Sequence, residues 1–71
     1  MNISEALEYL RACEDHTEPV FVIRGRDTLS ENTVLFWVRE AIREGVPTDK
    51  VHGAVAVALA CRNWPEKRKA D

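Results

Sequence analysis

The 71-residue chain has two cysteines, Cys13 and Cys61, three glycines and three prolines. Two cysteines without a Cys-x-x-Cys pair or a Cys/His cluster at zinc-binding spacing exclude a disulfide framework and a structural zinc centre. Both thiols read as small apolar residues. No apolar run approaches the roughly 20 residues that span a bilayer. The first residues lack the basic start and apolar stretch of a signal peptide, so the expected setting is the reducing cytoplasm, with no membrane contact. A surplus of positive charge is missing too: the net charge is −2. That is the wrong sign for a protein whose first task is to neutralise nucleic-acid phosphates.

What is present fits one small domain over residues 1–65, followed by a charged tail over 66–71. A chain this short buries only roughly 60% of the surface its unfolded form exposes, so its core needs reinforcement. With disulfide and zinc excluded, the remaining reinforcement is self-association.

Ile3, Ala6, Leu7, Leu10 and Cys13 recur at steps of three and four, which predicts an amphipathic helix capped by Asn2 or Ser4. Pro19 precedes Val20-Phe21-Val22-Ile23, an uninterrupted β-branched and aromatic run that predicts one strand from Val20 to Gly25. Thr28-Leu29-Ser30-Glu31 has the spacing of a capping box, opening a second helix that stops at Gly45. A third helix, capped by Thr48, is expected to reach about Asn63 and close at Trp64-Pro65. It is apolar nearly all round, with Gly53, Ala56 and Ala60 in a small-residue stripe, so burial on several sides is expected.

The expected fold class is therefore a small α/β domain of order helix, strand, helix, helix. A lone strand leaves backbone donors and acceptors unpaired, at a cost of about 1–3 kcal/mol for each one buried. The sequence offers no second strand, so pairing with a symmetry copy in a dimer or larger homo-oligomer is expected. The expected interface comprises Val20, Val22, Trp37, Gly53, Ala56 and Ala60.

No nucleophile beside a base, paired carboxylates or metal-ligand spacing can be read, so neither catalytic residues nor a cofactor is expected. His52 and Asn63 share a side of the third helix, either as a polar stripe along a symmetry axis or as an exposed histidine and a capping asparagine. The stronger candidate is Arg24-Gly25-Arg26-Asp27-Thr28, where two guanidiniums meet a helix N-terminus, a combination suited to phosphate or carboxylate. In the alternative reading, Arg24 and Arg26 pair with Asp27, Glu31 or Glu18. Phe36, among Asn32, Arg39, Glu40 and Arg43, is either an interface anchor or a stacking platform for a base.

The element order from Val20 to Trp64, with Gly45-Val46-Pro47-Thr48 between helices, resembles the ribbon-helix-helix repressors, which implies an intertwined dimer and DNA as partner. In that family the outward ribbon face is polar, whereas here it carries Val20, Val22 and Arg24. The segment Glu18-Pro19-Val20-Phe21-Val22-Ile23-Arg24-Gly25-Arg26-Asp27, with Trp37 downstream, is similar to a motif of small phage and prophage proteins. That resemblance implies a mobile-element accessory protein acting without catalysis. It would sequester an anionic, nucleotide-like signal or plug a host protein complex.

Overall fold

In a computed structural model, residues 1–69 are described, and they form three helices: α1 (Ile3–Ala12), α2 (Ser30–Glu44) and α3 (Thr48–Asn63). The fold is all-helical. The expected α/β class is therefore corrected, because residues 19–24 adopt no regular structure. Among the described residues the one β feature is an isolated parallel bridge between Asp27 and Arg68.

The reason lies in pairing. β-Branched residues favour strands chiefly by packing on a pleated, half-buried surface, and nothing in the chain supplies that surface. The backbone from Val20 to Arg24 stays accessible to water, with Val20, Phe21 and Val22 exposed at 66%, 87% and 70%. The chain then turns, as Asp27 N donates to Arg24 O at 2.9 Å.

The helix-forming signals act locally. Asn2 caps α1 through a reciprocal box: its Oδ1 accepts from Glu5 N at 2.9 Å, while Asn2 N donates to Glu5 Oε1 at 3.0 Å. At the end of α2, Gly45 takes the left-handed conformation (φ 77°) that glycine adopts without penalty. Gly45 N donates to Ile42 O and Val46 N to Ala41 O, a paired closure that satisfies two end carbonyls and turns Val46 onto the core. Two residues later α3 begins, with Pro47 as its cap rather than the expected Thr48.

Helices α2 and α3 pack as a hairpin around Val38, Ala41 and Val51, flanked by Val34, Val46, Ala54 and Val55. Ala58 is buried as well. The burial expected on several sides of α3 is seen on one: His52, Gly53, Ala56, Leu59 and Ala60 are exposed. Helix α1 stands apart, with no Cα within 8 Å of a Cα in α2 or α3. No helix among the described residues is long and apolar enough to cross a membrane.

The surface measures this openness. The accessible area is 6262 Å². A compact monomer of 8.1 kDa would expose about 4,500 Å², which leaves an excess of about 1,800 Å².

Candidate functional site

The turn from Arg24 to Ser30 is built from its own hydrogen bonds. Ser30, the most deeply buried polar residue, shares its one hydroxyl proton between Asp27 O at 2.8 Å and Gly25 O at 3.1 Å. Asp27 Oδ1 accepts from Leu29 N at 2.8 Å, and Ser30 N donates to Asp27 O at 3.0 Å. The approach to α2 is thus braced by Asp27 and Ser30. The expected box between Thr28 and Glu31 does not form, because Leu29 occupies the cap position and makes no side-chain cap bond. Glu31 instead binds Arg62.

The C-terminal segment completes this turn. Arg68 N donates to Arg26 O at 2.7 Å, and Thr28 N donates to Arg68 O at 3.0 Å. Lys67 Nζ donates to Gly25 O at 3.1 Å and also binds Cys61 O at the end of α3. Of the tail expected to begin at Glu66, residues 66–69 therefore run beside the turn, and residues 70 and 71 lie outside the described residues. Gly25 backs onto α3, where a Cβ at this position would meet Cys61 Sγ at 3.7 Å, an ordinary contact.

The result is a basic neighbourhood with contributions from two distant stretches, Arg24 and Arg26 from one and Lys67, Arg68 and Lys69 from the other. Arg24 is exposed and Arg26 half-buried. The ion pairs among the described residues are Arg62 with Glu31 and Arg43 with Glu40. Neither involves Arg24 or Arg26. Of the three carboxylates the sequence offered them, Asp27 is engaged with Leu29 N and Glu31 with Arg62.

Phe36 lies on α2 six residues beyond Ser30, roughly 9 Å along the axis at 1.5 Å per residue. Its side chain is 56% exposed, and the Arg39 guanidinium stands over its ring at 5.1 Å. A cation above the ring occupies one face that a base would use for stacking. Arg24, Arg26, Asp27 and Thr28 thus share one turn, and Phe36 sits apart from them. His52 and Asn63 are both exposed and stand eleven residues apart on α3. His16 Nε2 is 3.3 Å from Arg11 O. Among the described residues no three His, Cys, Asp or Glu side chains gather as a metal site.

A second feature is apolar. Val34 and Trp37 of α2 and Gly53, Ala54 and Val57 of α3 line a groove of about 560 Å³, together with Met1, Thr33 and Lys50. All six residues expected at an interface are exposed in the single chain: Val20, Val22, Trp37, Gly53, Ala56 and Ala60. Composition could have pointed to the groove through Trp37 and Gly53. The role of Lys67 and Arg68 had no local signal, because it arises from the bridge to Asp27. No family model, curated protein or solved structure matches the chain.

Proposed function

We propose that the protein is a non-enzymatic, homo-oligomeric binding protein that captures an anionic, nucleotide-like ligand at the basic turn around Gly25. The observation that carries this reading is the meeting of Arg24 and Arg26 with Lys67, Arg68 and Lys69 across the Asp27–Arg68 bridge, in a chain of net charge −2. Concentrating cations against the overall charge leaves a local positive field, and guanidiniums suit phosphate oxygens. The amides of Thr28, Leu29 and Ser30 are already bonded within the chain. The cationic side chains, rather than these three amides, would therefore hold the ligand. Self-association is supported by the excess surface of about 1,800 Å² over a compact monomer of this mass.

A DNA-reading ribbon finds no support in the irregular backbone of residues 19–24. The test is a thermal-shift panel of mono-, di- and cyclic nucleotides on the wild type and on Arg24→Ala, Arg26→Ala and Arg68→Ala. A stabilisation lost in the three variants is expected. No stabilisation by any nucleotide would end the ligand reading, whatever the oligomeric state.

A further inference from the structure

Helix α1 and the α2–α3 groove are two uncovered apolar surfaces of one chain, and each has what the other lacks. We propose that α1 of one copy seats in the groove of a second copy, and reciprocally, so that the protein is a helix-exchanged dimer. The proposal rests on the self-association inferred above and specifies the surfaces that perform it.

Helix α1 has ten residues, and isolated helices below about 12–15 residues are marginal in water. Its capping box and one acidic side chain in the first turn help its N-terminal end, but no residue of the helix is buried. Ile3, Leu7 and Leu10, one stripe at helical spacing, are exposed at 67%, 53% and 38%. A helix of this length with this stripe requires a partner surface for its stability.

The groove supplies one. Its walls, Val34, Trp37, Ala54 and Val57, are apolar, and at Gly53 an added Cβ would meet nothing within 4 Å. The space above Gly53 lets a neighbouring helix bring a leucine close to the α3 backbone. Charge also matches: the groove's charged lining residue is Lys50, whereas α1 carries Glu5 and Glu8 against Arg11.

The occupant is a second copy because of how the chain leaves the groove. Met1 touches the groove, yet no Cα of α1 comes within 8 Å of α2 or α3. The Asn2–Glu5 box fixes the path of the chain into the first turn of α1. The chain thus starts beside its own groove while the apolar stripe of α1 is carried away from it, an arrangement that suits a two-fold exchange. The area agrees: an excess of about 1,800 Å² from each of two chains falls within the roughly 2,000–5,000 Å² that obligate homodimers bury.

The experiment is native mass spectrometry with circular dichroism on wild type, Leu7→Glu and Gly53→Leu. Gly53→Leu replaces the poorest helix former but proline and enters open space, so the single chain should keep its helices while the groove is filled. Expected are a wild type of twice the chain mass and monomeric variants, with Gly53→Leu retaining its helical signal. In a Cys13→Ser background, oxidising a mixture of Leu7→Cys chains and Gly53→Cys chains should yield a covalent heterodimer. Wild-type dimers with both variants still dimeric would overturn the exchange and leave self-association to another surface. A monomeric wild type would overturn both. A 7–53 disulfide that forms only within one doubly substituted chain would show α1 on its own groove and overturn the exchange.

Discussion

Arg62 near the end of α3 donates through Nε to Glu31 Oε2 at 2.6 Å, closing the open end of the helix hairpin opposite the Gly45 turn. The two residues are 31 positions apart, so the bond ties the first turn of α2 to the last turn of α3. Each is also placed well against its own helix, the carboxylate at an N-terminus and the guanidinium at a C-terminus. The carboxylate beside it raises the Arg62 pKa further above its ordinary value, chiefly through the hydrogen bond and then through charge.

Removing either partner should loosen that end without unfolding the hairpin. Glu31→Gln and Arg62→Ala are expected to lower the thermal midpoint slightly, and the double variant no more than the larger single effect. Salt should shrink the wild-type advantage, since an exposed pair is screened. A double-mutant cycle at low and high ionic strength checks this.

Ser30 should matter more than its size suggests. Its buried hydroxyl shares its proton between Gly25 O and Asp27 O, and Ser30→Ala removes that bifurcated bond. A loss of about 1 kcal/mol is expected, the net worth of a hydrogen bond, because Ser30 N still donates to Asp27 O and Lys67 still donates to Gly25 O, so neither carbonyl is left unpaired. Because the same turn carries Arg24 and Arg26, any nucleotide-induced stabilisation should weaken alongside. Urea titration and the thermal-shift panel measure the two effects separately.

The legible parts of the fold were those decided within a few residues. Asn2 with Glu5, the Gly45-Val46-Pro47 turn and the halt at Trp64-Pro65 act over one helical turn, and the three helices fall where periodicity put them. The expected strand does not form because Val20-Phe21-Val22-Ile23 states a preference that only a partner can satisfy, and pairing is not a local property. The capping box between Thr28 and Glu31 is absent for a related reason: Glu31 is drawn to Arg62, 31 residues away, and Leu29 stands at the cap position. The basic turn was half legible. Arg24 and Arg26 stood out by position, whereas Lys67-Arg68-Lys69 gained meaning only when the fold laid it beside them.

Two glycines should respond in opposite directions. Gly45 at φ 77° has open space around it, so Gly45→Ala incurs only backbone strain, about 1–2 kcal/mol. Gly53 lies within α3 at ordinary helical angles and also faces open space. There Gly53→Ala should stabilise the isolated hairpin by about 0.5–1 kcal/mol through helix propensity. Chemical denaturation of both variants, at protein concentrations low enough to keep chains apart, should give shifts of opposite sign.

Asp15 offers the pH test. Its Oδ1 accepts from Thr17 Oγ1 at 2.6 Å and from Thr17 N at 2.9 Å, and these bonds hold its pKa below the ordinary 3.8. A carboxylate with a lowered folded pKa adds stability that is fully present above its unfolded value and is lost as pH falls through the folded one. The turn after α1 should therefore persist through about pH 4 and open only as the pH falls below 3.8, where the lowered Asp15 carboxyl takes up its proton. In an NMR titration the Thr17 amide should move with the Asp15 carboxyl, at a midpoint below 3.8. Thr17→Ala removes the larger contribution, that of the side-chain hydroxyl, and keeps the backbone bond. The Asp15 midpoint should then rise toward 3.8 without reaching it. An unchanged midpoint would mean that the hydroxyl does not bind the carboxylate in solution.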